Sequence, residues 1–225
     1  MADIRSKVPT WLAGRLVALV LLASGGGGGA VLVQDQALQV KEAELQQALA
    51  DEYVRAVAAD TTTSQAVKVA MVLGSFYESS GKHIGTPYVD KLGRGQPLTV
   101  CNGITGAGVA AGRWYGPANC YQLEKARYLS AERAAPHLLV HWQLYDPFVQ
   151  GQFIDFLHNK GEGAFTASTM LRKANAGDLV GACRENPRWN KGTVNGVLQV
   201  LPGLQARSDA NDEICRMWRM DGATP

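Results

Sequence analysis

Gln65-Ala66-Val67-Lys68-Val69-Ala70-Met71-Val72-Leu73-Gly74-Ser75-Phe76-Tyr77-Glu78 is followed by Pro87-Tyr88-Val89-Asp90 and then by Leu98-Thr99-Val100-Cys101-Asn102-Gly103-Ile104-Thr105-Gly106. The first run predicts a helix from about Gln65 to Tyr77, with Val67, Ala70, Met71, Leu73 and Gly74 on a packed face. Ahead of it, Asp60-Thr61-Thr62-Thr63-Ser64 reads as a break that ends in capping residues. Glu78 stands at the end of the helix, before Ser79-Ser80-Gly81. A carboxyl at the end of an apolar helix can be partly desolvated, the kind of position a general acid occupies. Downstream, the turn-rich Gly93-Arg94-Gly95-Gln96-Pro97 and the alternating Leu98-Thr99-Val100-Cys101 read as a small hairpin rather than a helix.

Cleavage of a glycosidic bond needs one acid to protonate the leaving oxygen and a second carboxylate to assist on the opposite face. Glu78 and Asp90 form such a pair, although two acids a dozen residues apart are most often surface solvation. The wider pattern changes this reading. Tyr77-Glu78, Pro87-Tyr88-Val89-Asp90 and Leu98 to Gly106 resemble the active-site segment of phage-type lysozymes, glycoside hydrolase family 24. That family shows a Glu, then P-Y-x-D, then T-V-C-x-G-H-T-G. A second block, Asn159-Lys160-Gly161-Glu162-Gly163-Ala164-Phe165, Ser168-Thr169-Met170-Leu171-Arg172-Lys173 and Asn175-Ala176-Gly177-Asp178, is similar to the family's N-x-G-x-G-x-F, S-T-L-L-R-K and N-x-G-D. A third comprises Gly181-Ala182-Cys183, Arg188-Trp189, Gly203-Leu204, Arg207 and Glu213-Ile214-Cys215. The three blocks fall in the family's order and cover about Gln65 to Trp218.

The resemblance implies Glu78 as general acid, Asp90 as the carboxylate that activates or positions water, and Thr99 as a residue that helps hold that water. It implies inversion at the anomeric carbon, which suits a wider carboxylate separation. The implied activity is that of a muramidase, cutting the β-1,4 bond between N-acetylmuramic acid and N-acetylglucosamine to lyse a bacterial host, with no cofactor. The implied fold is α+β and lysozyme-like, with a small hairpin lobe around Pro87 to Gly106 and a larger helical lobe from about Tyr121. Two departures stand out. The gaps from Glu78 to Asp90 and from Asp90 to Thr99 are each about three residues longer than usual, which reads as insertions in surface turns. Ile104 stands where the family has histidine.

Two other readings remain open. Glu78-Ser79-Ser80 resembles the Glu-Ser element of lytic transglycosylases, which work with one acid on the same bond. A non-catalytic, membrane-tethered peptidoglycan-binding protein is the other, against which the joint presence of Glu78, Asp90 and Thr99 argues.

The N-terminus bears on the compartment. Arg5, Lys7 and Arg15 precede a stretch from Leu16 to Val33 that holds no charged residue and is just long enough to span a bilayer core. The basic side stays cytoplasmic, so the chain beyond Asp35 is exported across the inner membrane to the periplasm by the secretion machinery. Gly25 to Gly29 make the stretch a poor permanent anchor. A cleaved signal peptide, a fixed anchor and a weak anchor that later escapes intact are all open, and the glycines favour the last. The expected organisation is a signal-anchor segment over 1–34, a helical linker over 35–63 and a catalytic domain over 64–225. From Gln36 to Ala59, Leu38, Leu45, Leu49, Tyr53, Val54 and Val57 lie near helical spacing, and the preferred reading is a solvated spacer helix.

The 225 residues are 46% hydrophobic with a net charge of +2. That is enough for a real core and too little charge to imply nucleic acid; a mildly basic surface suits an anionic wall polymer. Cys101, Cys120, Cys183 and Cys215 form no C-x-x-C pair, so structural zinc is not indicated. Two disulfides fit an oxidising compartment and four buried thiols fit a reducing one. In an exported lysozyme-like domain the expected bridges are Cys101–Cys120, tying the hairpin to the next helix, and Cys183–Cys215, joining two late helices. His137 and His141 read as sharing a helical face, with no third ligand for a metal. His83 reads as a solvated turn residue. Phe148, Phe153, Ile154, Phe156 and Leu157 read as core. Ser168 and Arg207 are candidate sugar contacts, with helix capping and structural ion pairing as their competing roles.

Overall fold

The computed structural model describes residues 34–79, 81–90, 95–194 and 196–218. The apolar segment from Leu16 to Val33 lies outside these residues, and no helix among the described residues is long and apolar enough to cross a membrane. The fold is mainly helical with two small sheets among the described residues.

Helix α1 (Gln34–Ala59) ends at Asp60, whose carboxylate accepts hydrogen bonds from the Thr62 amide and hydroxyl at 2.7 Å each. Ser64 then caps α2 (Gln65–Ser79), its Oγ accepting from the Val67 amide at 3.1 Å. The expected break and cap are both present. Every residue of α2 from Ala66 to Gly74 is buried, beyond the single packed face expected, and Lys68 among them donates from Nζ to the Ala58 carbonyl at 3.0 Å. It packs on α4 (Pro147–Lys160), which supplies Phe148, Phe153, Ile154, Phe156 and Leu157 to the core as expected. Gly151 permits the close approach, since a Cβ there would sit 2.7 Å from Val69 Cγ1, and Gly74 makes room for α3 (Pro117–Leu138) instead, since a Cβ there would sit 1.9 Å from the Tyr128 hydroxyl.

Helix α1 is not the solvated spacer its composition suggested. Leu45 is exposed, but Tyr53 and Val57, one turn apart, are buried against α3 (Pro117–Leu138). The Tyr53 hydroxyl donates to Glu124 on α3 at 2.6 Å. The second half of α1 is therefore part of the core.

The hairpin lobe is a three-stranded antiparallel sheet in the order β1 (Tyr88–Val89), β2 (Leu98–Val100), β3 (Ile104–Thr105). Tyr88 pairs with Thr99 and Val89 with Leu98. The Asp90 amide extends the ladder by donating to the Pro97 carbonyl at 3.0 Å, and Pro97, lacking an N–H, cannot return the bond. The Cys101–Cys120 disulfide ties this lobe to the first turn of α3. Beyond α4 follow α5 (Glu162–Thr166), α6 (Thr169–Asn175), α7 (Leu179–Cys183) and α8 (Pro202–Met217). Cys183–Cys215 joins α7 to α8, so both expected bridges are present.

Two further differences emerge. A second antiparallel hairpin, β4 (Lys191–Val194) with β5 (Val197–Val200), precedes α8. In the sequence Asn195-Gly196 stands between the two strands, the strongest short signal for a two-residue hairpin loop. The shared helical face of His137 and His141 does not exist, because α3 stops at Leu138. There Asn175 closes the helix end, donating to the Leu138 carbonyl at 2.9 Å and accepting from the Val140 amide at 3.0 Å.

Candidate active site

Glu78 lies in the last turn of α2, and its side chain is 31% exposed on an open groove of about 570 Å³. Asn102 and Gly103 at the end of β2 line one wall. Arg127, Ser130, Ala131 and Ala134 on α3 line another, and Leu157, His158, Asn159 and Glu162 complete the lining.

The carboxyl is held from behind. Arg207 on α8 is buried and places its guanidinium across two acids. Nε and Nη2 engage the fully buried Asp155 of α4 at 3.0 and 2.6 Å, and Nη1 donates to Glu78 Oε1. Asn211, one turn along α8, adds a bond to Asp155 at 2.8 Å. Burial by itself lowers the Arg207 pKa, but Asp155 beside it more than offsets this and holds the group above its ordinary value. Asn159 also reaches Glu78 Oε1, at 3.5 Å. Both contacts fall on one oxygen, and Oε2 has no hydrogen-bond partner among the described residues.

Asp90 and Thr99 do not line this groove. The register places them together on one face of the β1–β2 hairpin, as diagonal neighbours. Thr99 is buried and its hydroxyl donates to the Pro97 carbonyl at 3.1 Å, the same oxygen that receives the Asp90 amide. With its hydrogen so placed, Thr99 Oγ1 can act only as an acceptor.

The groove wall at Asn102 is fixed from beneath. Both the Asn102 amide and its side-chain Nδ2 donate to Glu124 Oε1, at 3.1 and 3.0 Å. Glu124 is buried, and that burial raises its pKa against the opposing hydrogen bonds from Tyr53 and Asn102. Tyr53 thus links α1 to the groove through Glu124. Among the described residues the one group with metal-ligand spacing is Cys101, Cys120 and Glu124, and its two sulfurs are joined to each other.

Other candidates fall in different places. Ser168 caps α6, its Oγ accepting from the Leu171 amide at 3.0 Å, and it is buried away from the groove. Arg207 reaches the site through Glu78 and is too buried to present itself to sugar. His83 is not a solvated turn residue. Its amide donates to Gln46 on α1 at 2.7 Å and its ring Nε2 donates to the Tyr115 carbonyl at 2.8 Å. Asp155 was legible as an acid inside an apolar helix, a position that demands a buried partner. His158 and Arg127 carried no such local signal.

His158 stacks on the buried Tyr128 at 4.0 Å between ring centroids. Burial holds its pKa below the ordinary 6.5, opposed by Asp155 and Glu78 and reinforced by Arg207 and Arg127. In the unfolded chain the ring takes a proton near pH 6.5, whereas in the folded chain it stays neutral to lower pH. Its contribution to stability is therefore complete above about pH 6.5 and is lost as the pH falls toward the folded value. Thermal melts between about pH 7 and pH 5 should show a shallower decline in His158→Phe than in the wild type. His83, lowered by burial in the same way, keeps the slope from vanishing. Identical slopes would contradict this account of His158.

A helical body, a small sheet lobe and a groove between them that carries an oriented carboxyl form the plan of a lysozyme. The chain belongs to the phage lysozyme family, whose model matches residues 83–211, and it is accordingly a glycoside hydrolase of the lysozyme type. Among curated relatives it is 36% identical to the SAR-endolysin of Enterobacteria phage P21 over 133 residues, 59% of this chain and 74% of that protein. It is 35% identical to the SAR-endolysin of Bacteriophage PS119 over 133 residues, 59% of this chain and 73% of that one. Among solved structures, the fold is similar to the endolysin of Escherichia coli O157:H7 phage FAHEc1, with a TM-score of 0.56, 20% identity and coverage of 74% of this chain and 98% of that one. It is also similar to the active form of the P1 phage endolysin Lyz, with a TM-score of 0.53, 18% identity and coverage of 84% and 96%.

Proposed function

We propose that the chain is an exported endolysin that hydrolyses the β-1,4 bond between N-acetylmuramic acid and N-acetylglucosamine, with Glu78 as general acid, Asp90 as the carboxylate that activates water and Thr99 as a holder of that water. The observation that carries this reading is the presentation of Glu78. It closes a core helix, opens onto the groove, and is oriented through one oxygen by Arg207 and Asn159. The other oxygen, Oε2, carries the proton to the glycosidic oxygen as the bond from the anomeric carbon breaks. Water, losing its proton toward Asp90, attacks the opposite face of the sugar. The products are a reducing muramic acid and a free 4-hydroxyl on glucosamine. The common face of Asp90 and Thr99 on the hairpin supports their joint role, and the resemblance of the surrounding motifs supports each assignment.

Export rests on Arg5, Lys7 and Arg15 ahead of the apolar Leu16 to Val33 and on the SAR-endolysin relatives. The catalytic unit spans 64–225 and the linker 35–63, the linker contributing Tyr53 and Val57 to the core. We take the weakly apolar, glycine-rich segment to hold the chain at the inner membrane and later to release it intact. Clearing of chloroform-treated Gram-negative cells by the purified chain tests the lytic activity. Fractionation before and after an uncoupler, with intact mass, tests release: an intact periplasmic chain is expected, and one lacking its first thirty or so residues would mean signal cleavage.

A further inference from the structure

We propose that Arg127 is a specificity residue that reads a carboxylate on the substrate, so that the groove prefers glycan strands bearing acidic peptide stems over neutral strands. The proposal rests on the peptidoglycan reading above and extends it to a residue outside the acid–base machinery.

Arg127 lies on the groove face of α3, between the hairpin wall and the end of α4. It is exposed, and one N–H of Nη1 donates across to the Gly103 carbonyl at 3.1 Å. That single bond fixes the guanidinium over the groove and commits one of its five donors. No ion pair to Arg127 occurs among the described residues, although Glu78 and Glu162 line the same groove. Glu78 is turned toward Arg207 instead. Beside Arg127 on α3, the lining residues Ser130, Ala131 and Ala134 are small, which leaves open space next to the guanidinium. A planar guanidinium with free parallel donors at the edge of such a space matches a carboxylate, which it can take in bidentate fashion.

The sugar rings of a peptidoglycan strand are uncharged. Its anionic groups are carboxylates, either on the peptide stem or, where the stem is missing, on the exposed lactyl ether of the muramic acid. Both sources present the same chemistry to Arg127, and the small residues beside it, Ser130, Ala131 and Ala134, leave space for the stem.

The test is a binding measurement with full-length chains carrying Glu78→Gln, which removes turnover. Affinities of Glu78→Gln and Glu78→Gln/Arg127→Ala are compared by calorimetry on three ligands: muramic acid–glucosamine oligosaccharides bearing peptide stems, the same glycan with free lactyl carboxylates, and that glycan with the carboxyls converted to methyl amides. Losing a charge-assisted hydrogen-bonded pair should weaken binding of the stem-bearing ligand roughly tenfold or more and leave the methyl amide within about twofold. A loss confined to the free lactyl ligand would overturn the stem as the source. Equal losses on all three, the methyl amide included, would make Arg127 a tie between lobes and overturn the proposal, as would no loss on any. Arg127→Lys, which keeps the charge but not the fork, should fall between. Because the readout does not depend on hydrolysis, a wild-type chain that binds but does not cut would refute the hydrolase reading separately.

Discussion

Glu78→Gln is expected to lower the lysis rate by about a hundredfold to ten-thousandfold, the usual contribution of a positioned general acid, while the protein stays folded. The amide keeps the shape of the side chain, and its carbonyl oxygen can still accept from Arg207 and Asn159, the two donors that orient the native carboxyl. What disappears is the proton. Lysis of chloroform-treated cells, read beside a thermal melt, separates chemistry from folding. Asp90→Asn should also be severe and Thr99→Ala measurably harmful. Wild-type-like activity in Glu78→Gln would remove the mechanism. Loss in Glu78→Gln with an unaffected Asp90→Asn would point to the one-acid chemistry of a transglycosylase.

The second large effect is expected at Arg207, and it is one of stability and activity together. Asp155 is fully buried, and two of the three hydrogen bonds to its carboxylate come from Arg207, the third from Asn211. Arg207→Met leaves a buried acid without its cation, at a cost of about 3–5 kcal/mol. For a chain of this size that lowers the melting midpoint by roughly 6–20 °C. The same change releases Glu78 Oε1, so activity should fall even where the protein is folded. Arg207→Met/Asp155→Leu removes the stranded charge and should recover part of the stability without recovering lysis, because Glu78 still lacks its brace. A single Arg207→Met that melts like the wild type would show that the buried pair is not what holds α4 to α8 at the site.

The parts of this arrangement that were legible beforehand are local ones. The apolar run from Ala66 to Gly74, the cap at Ser64 and the strand from Leu98 follow from periodicity and turn chemistry within a few residues, and each appears where those rules place it. The β4–β5 hairpin obeys the same rules, and the Asn195-Gly196 signal between its strands was overlooked rather than hidden. The end of α3 is different. It is set by Asn175, remote in sequence, whose amide closes the helix at Leu138. Pro136, directly before His137, is the one local sign that the helix is near its end. Helix α1 likewise looked like a spacer because its first half is polar and alanine-rich, whereas Tyr53 is buried only through a partner on α3.

The site shows the same division. Glu78, Asp90 and Thr99 were named from the motif blocks that surround them, and the hairpin register places the last two on one face. The groups that orient Glu78 and shape the groove come from three helices, α3, α4 and α8, and are distant from it in sequence. Arg207, Asp155, Asn159, His158 and Arg127 meet only through packing: Arg207 and Asn159 stood in the motif blocks, Asp155 carried a local signal as an acid within Phe153-Ile154-Asp155-Phe156-Leu157, and His158 and Arg127 carried none.

Mass spectrometry of the muropeptides released from purified Gram-negative sacculi by the wild-type chain tests the central claim most directly. Hydrolysis assisted by Glu78 and Asp90 yields fragments that end in a reducing muramic acid, each carrying the added water. Fragments ending in 1,6-anhydromuramic acid, lighter by one water, or sacculi that bind the chain and release nothing, would contradict it.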